Sequence, residues 1–206
     1  MNKSYILVVS GPSGAGKSTL LSKLLEDFKD KLYFSISYTT RVPRANEKDG
    51  VDYNFINKEK FEEYIQNDLF LEWANVHENY YGTSLKHTLD ALNDDKIVVF
   101  DIDVQGYLMV KNKLKDLVKS VFITTNSKNE LKKRLIKRNT DKIETLQKRL
   151  DNATKEMKSI VDYDYLIINE DIEQSYNKLK SILNAELIKS NNYNLEKLQN
   201  DWNKGE

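Results

Sequence analysis

An apolar run ending at Val9 or Ser10 leads straight into Gly11, Pro12, Ser13, Gly14, Ala15, Gly16, Lys17 and Ser18, and a stretch of good helix formers follows. The spacing is glycine, four residues, glycine, lysine and serine, in the strand-to-helix setting that turns this pattern into a phosphate cradle. Glycines let the backbone turn tightly and bring its N–H groups against phosphate oxygens with no Cβ in the way. The N-terminus of the following helix adds partial positive charge. Lys17 is placed to bridge β and γ phosphates and the Ser18 hydroxyl to coordinate Mg²⁺, with Thr19 next along the same helix. Such a loop implies a nucleoside triphosphate, but it does not by itself separate a hydrolase from a kinase.

Unalternated apolar runs at Tyr5 to Val9, Ile97 to Ile102, Val121 to Ile123 and Tyr165 to Ile168 predict strands of a parallel sheet buried on both faces, with a fifth at Tyr33 to Tyr38. Helical patterns fall between them, at Ser18 to Phe28, Lys58 to Gln66, Thr83 to Leu92, Gly106 to Leu117, Lys128 to Arg138, Thr140 to Ser159 and Ile172 to about Trp202. The class is therefore α/β, a P-loop NTPase-type parallel sheet flanked by helices. Two stretches break the alternation. The residues from about Thr39 to Tyr81 hold Pro43, one of the chain's two prolines, with many tyrosines and one clear helix, and Ser127 to Met157 reads as a basic helical pair. Both are read as insertions, which divides the chain into a core (1–38, 86–126 and 158–206), a region at 39–85 and another at 127–157.

At 206 residues the chain suits one substantial core. Its 32 basic and 32 acidic residues cancel, which removes any global electrostatic argument for nucleic acid or an anionic membrane as partner. The absence of cysteine excludes disulfides, thiolate metal sites and a cysteine nucleophile. No signal peptide is legible at the N-terminus and no apolar run approaches membrane-spanning length, so a soluble cytoplasmic protein is expected. Nothing in the sequence speaks to oligomeric state.

The run Ile97 to Asp103 ends in Asp101 and Asp103, which share a face because residues two apart do. Ligands of open α/β sheets sit beyond the carboxyl ends of strands, so Asp101 is a candidate to hold Mg²⁺ directly or through water. The alternative is that both aspartates simply cap the helix near Gly106. In the first insertion Arg41 and Arg44 stand three apart beside Thr39 and Thr40, an arrangement that suits a second anion. The nearby tyrosines either serve that anion and its base or pack as ordinary core aromatics.

From the phosphate loop to about Asn169 the chain resembles the guanylate kinase family. Thr39-Thr40-Arg41, Pro43-Arg44, Asp52 to Phe55, Glu72-Trp73-Ala74, Asn79 to Thr83 and Asp101 to Gly106 carry the resemblance in order and spacing. It implies transfer of the γ-phosphoryl group of ATP to GMP, and to dGMP, with Mg²⁺, by an enzyme with a core, a GMP-binding region and a lid at the two insertions. It also implies that Arg41, Arg44, Tyr53 and Tyr81 hold the GMP phosphate while Ser37, Glu72, Thr83 and Asp103 read the guanine. Guanine presents N1–H and a 2-amino group as donors, which call for carboxylate acceptors, and adenine presents neither. Two lost charged hydrogen bonds correspond to roughly a hundredfold to ten-thousandfold discrimination against AMP.

In the second insertion Arg134 and Arg138 are four apart, on one helical face, and Arg149 lies on the next helical segment. The resemblance implies that these three close over the ATP phosphates, and that Asn169 contacts the adenine. Family members commonly have glycine where this chain has Asn139, a residue that tolerates the left-handed conformation better than most. His77 and His87 lie outside the phosphate motifs, and the reaction needs no base, because a phosphate with a second pKa of about 6 is already dianionic at neutral pH. Two other readings stay open: a P-loop kinase of the same build with a different acceptor, and a non-catalytic guanylate-kinase-like module that binds peptides.

Overall fold

The protein is described by a computed structural model covering residues 4–44, 47–76, 78–137, 143–190 and 193–204. Strand β1 (Ile6–Ser10) runs into the glycine loop, from which α1 (Lys17–Asp27) emerges and leads to β2 (Leu32–Phe34). Then come β3 (Tyr38–Thr39), β4 (Asn54–Phe55), α2 (Lys58–Gln66), β5 (Phe70–Val76) and β6 (Asn79–Ser84). The alternation resumes with α3 (Leu85–Asn93), β7 (Ile97–Asp101), α4 (Val104–Leu114) and β8 (Val118–Thr124). Helices α5 (Lys128–Lys137) and α6 (Ile143–Glu156) precede β9 (Tyr165–Ile168), α7 (Ile172–Leu187) and α8 (Leu195–Asn203).

The five apolar strands form one parallel sheet in the order β2-β7-β1-β8-β9. Connections from β1 go to one side through α1, and those from β7 cross to the other side through α4, so the order reverses at β1. A crevice opens at such a reversal, beyond the carboxyl end of the strand, and here that end is the glycine loop. Leu7, Val9, Val99 and Ile123 join α1 and α7 in one apolar cluster, while Ile6, Val8, Val98 and Phe100 join α3 and α4 in another. Burial on both faces is why these strands lack polar alternation.

A second sheet, β4-β3-β6-β5, fills the first insertion, where the sequence predicts one helix and no strands. Its first two strands are two residues long, too short for a periodic signal, and the β5–β6 hairpin carries an irregularity between Phe70 and Glu72 that spoils the alternation. Phe61 of α2 packs on Phe70 and Tyr80 at centroid distances of 4.5 and 5.2 Å, so several of the region's aromatics are core.

The run Tyr33 to Tyr38, predicted as one strand, is divided between the two sheets. Helix α3 begins at Leu85 rather than Thr83, because Ser84 closes β6 and caps the helix by accepting the N–H of His87. The long C-terminal helix breaks in two, and Asn194 caps the second part. Among the described residues no helix is long and apolar enough to cross a membrane.

Candidate active site

Parallel pairing sets Val9 beside Asp101, so the end of β7 lies against the start of the glycine loop. Gly11, Gly14 and Gly16 have φ of 139°, 92° and 96°, values that L side chains rarely adopt. A Cβ on Gly11 would stand 1.9 Å from the Ile123 carbonyl oxygen, and one on Gly16 would stand 2.3 Å from Asn169 Nδ2. The loop is thus wedged between β8 and the end of β9. Gly11→Ala meets backbone that cannot move aside, and we expect it to lower unfolding stability by about 2–5 kcal/mol, read from denaturant midpoints.

Lys17 Nζ donates to the Gly11 carbonyl at 2.6 Å and stands 3.9 Å from Asp101 Oδ1. Burial raises the Asp101 carboxyl and the Lys17 ammonium opposes that rise. Ser18, in the first turn of α1, opens onto the same cleft as Lys17 and Asp101. Thr19 is exposed on α1.

That cleft has a volume of about 280 Å³ and runs from the glycine loop to the second sheet. Ser37, Arg44, Tyr53, Glu72, Tyr81 and Asp103 line its far end. Thr83, fully buried, lies behind this wall and donates its hydroxyl to Glu72 Oε1 at 2.6 Å, its cross-strand partner in the hairpin. Burial pushes the Glu72 carboxyl up to about 7, the Thr83 hydrogen bond pulls it down, and the Asp103 charge adds to the rise. Asp103 does both things the sequence allowed. Its Oδ1 accepts the Gly106 N–H as the N-cap of α4, and its carboxylate still faces the cleft. Tyr53, pushed up to about 12 by burial and next by the Asp101 charge, keeps its proton and stays a donor. Arg41 sits behind the Tyr53 ring, its guanidinium 5.3 Å from the ring centre, and bonds Glu47.

The helical pair reaches the loop from above. Arg134 Nη2 donates to the Asn169 carbonyl at 2.8 Å, and Asn169 Nδ2 donates to the Ala15 carbonyl at 2.7 Å, which ties α5 to the glycine loop through one asparagine. Asn169 is buried, its side chain committed to that tie. Arg149 Nη1 approaches Ser13 Oγ at 3.3 Å. Arg138, Asn139 and His77 lie outside the described residues. His87 lines a separate depression with Tyr64, Leu69 and Phe70.

Two acidic residues escaped the sequence reading. Glu47 bonds both Arg41 and Arg44. Glu156, seven residues after Arg149 and so on one face of α6 with it, lines the cleft, and burial raises its carboxyl against the pull of Lys17. Its signal was that spacing.

Comparison with known proteins gives the chain's family. The family model described as guanylate kinase matches residues 3–186. A guanylate kinase of Campylobacter jejuni strain RM1221 is 59% identical over 204 residues, covering 99% of this chain and 100% of that protein. One of Helicobacter pylori strain J99 is 48% identical, covering 98% of each. The crystal structure of guanylate kinase from Anaplasma phagocytophilum superposes with a TM-score of 0.80 at 33% identity, covering 96% of this chain and 94% of that one. With a family model spanning most of its length and relatives this close over nearly all of it, the chain belongs to the guanylate kinase family.

Proposed function

We propose that this chain transfers the γ-phosphoryl group of ATP to GMP, and to dGMP, giving ADP and the diphosphate. The observation that carries this reading is one cleft with a phosphate cradle at one end and, at the other, Arg44 and Tyr81 beside the carboxylates of Glu72 and Asp103. A triphosphate's tail fits the first end, and a phosphorylated base rich in donors fits the second.

The residues divide the work. Backbone N–H groups of Ser13 to Ser18 and the Lys17 ammonium hold the donor's phosphates. Arg41, Arg44, Tyr53 and Tyr81 hold the acceptor's phosphate, while Ser37, Glu72 and Asp103 fix the base, with Thr83 acting on it through the buried hydrogen bond to Glu72. Arg134, Arg138 and Arg149 cover the transferring group from the lid at 127–157, and Asn169 supports the adenine end. The region at 39–85 supplies the acceptor site, and the remainder is the core. The acceptor phosphate is the nucleophile and needs no base, so positioning and charge neutralisation make up the catalysis. Exclusion of water by the lid suppresses ATP hydrolysis.

Ser18 and Asp101 fit Mg²⁺, being hard oxygen donors at the mouth of the phosphate cradle. When bound there, Mg²⁺ neutralises developing charge on the phosphate oxygens. Since ATP and GMP are pooled inside cells, the reading also places the protein in the cytoplasm.

ADP formation from ATP and Mg²⁺, measured with GMP, dGMP, AMP, CMP and UMP in turn, tests the proposal. Turnover with GMP at least about a hundred times that with AMP is expected. Equal rates with AMP would remove the guanine filter, and silence with every acceptor would favour a binding module.

A further inference from the structure

Glu47 holds the two arginines of the acceptor end. Its Oε1 accepts from Arg41 Nη2 at 2.8 Å and from Arg44 Nη1 at 3.4 Å, and its Oε2 accepts the backbone N–H of Arg44 at 2.8 Å. The carboxylate is 14% exposed. Burial works against its charge, but the Arg41 hydrogen bond and the Arg44 N–H outweigh it and hold the carboxyl below its ordinary range. Arg41 is fixed further by Nη1 donating to the Val42 carbonyl at 2.9 Å. Arg44 is 57% exposed and lines the cleft, with Glu47 as its carboxylate anchor among the described residues. A long side chain this exposed loses rotamer freedom when a ligand must order it. Two neighbouring guanidinium groups also repel each other unless an anion lies between them.

We propose that Glu47 is the positioning residue of the acceptor-phosphate site, aiming Arg41 and Arg44 at the phosphate without touching it. The inference rests on the reading of this end as a nucleoside monophosphate site. A carboxylate that merely competed with phosphate for the arginines would weaken binding, and its removal would tighten it. The two cases differ in sign. Preorganisation prevails in this geometry because Oε2 is spent on backbone and Oε1 engages one edge of each guanidinium, leaving the other donors of Arg44 to the cleft.

The test compares the full-length wild type with Glu47→Gln and Glu47→Asp by calorimetric titration of GMP and of guanosine, together with steady-state kinetics. Glu47→Gln is expected to weaken GMP binding and raise its KM by about tenfold or more, while guanosine affinity and the KM for ATP stay within about twofold. Glu47→Asp, which keeps the charge, is expected to recover most of the GMP affinity and is also the fallback if the amide fails to fold. Unchanged or tighter GMP binding by Glu47→Gln would overturn the proposal, as would equal weakening of GMP and guanosine, which marks a general loss of structure. Wild type that binds no GMP would overturn the acceptor reading itself, and is recognised because the control fails first.

Discussion

Lys17→Met lowers kcat by about a hundredfold to a thousandfold while leaving the fold and the GMP site intact, an effect of the size seen when one preorganised donor to a developing anion is removed. The expectation follows from where the charge sits. The ammonium stands at the meeting point of the glycine loop and the end of β7, bonded to the Gly11 carbonyl and 3.9 Å from Asp101. On the proposed reading, phosphoryl transfer spreads charge over oxygens held by this loop, and a point charge on a fixed stem stabilises it without reorganisation. The loop's shape does not depend on the lysine, because the glycine conformations and the Asn169 bond to Ala15 hold it. The unfolding midpoint should therefore move little and the GMP dissociation constant should stay near wild type, with the loss confined to turnover in the ADP assay. Turnover within about threefold of wild type would show that the loop's backbone alone carries the donor's charge.

The parts of this molecule legible in its sequence are those built from continuous segments. The glycine loop is read correctly because strand, turn chemistry and helix all lie within one short stretch, and the central strands because burial on both faces removes the polar alternation that would confuse them. The second sheet is not legible. Its strands β3 and β4 are two residues each and are specified by partners about fifteen to forty residues away, a tertiary effect that periodicity cannot carry. The division of Tyr33 to Tyr38 between two sheets has the same origin.

Among the site residues, Glu72 and Asp103 come from different segments and meet because β5 packs under α4. Glu47 has a signal in the sequence, an acid three residues after Arg44, but a lone acid in a charged chain is ordinarily solvent-facing. Its part becomes visible when both guanidinium groups are seen on one carboxylate. Thr83 and Asn169, assigned by resemblance to the guanine and the adenine, turn inward and hold Glu72 and the glycine loop, so each acts on its neighbour through a buried hydrogen bond.

Glu72→Gln tests a conflict between function and stability at the base-reading end. Folded Glu72 keeps its proton up to about pH 7, whereas an unfolded glutamate releases it near 4.5. The folded state therefore binds the extra proton between those values, and wild-type stability falls as pH rises through that window. Above it the buried charge costs about 3 kcal/mol relative to a neutral side chain of the same shape. The amide carries no such charge, so Glu72→Gln should melt higher than wild type at pH 8.5, by roughly 5–10 °C, and the gap should close at pH 5. A gap of equal size at both pH values would show that packing, not charge, separates the two proteins. Function moves the other way. A carboxylate accepts from both guanine N1–H and the 2-amino group, while an amide offers one acceptor and points a donor at a donor. The variant should lose about a hundredfold in kcat/KM for GMP and most of its preference over AMP. In wild type, guanosine, which has no titrating phosphate, should bind about tenfold more weakly for each pH unit below 7 as Glu72 takes up its proton, and this dependence should vanish in Glu72→Gln. On the proposed reading, the two donors of guanine make an ionised carboxylate at this depth tolerable, which is why a residue that destabilises the fold at neutral pH is placed there.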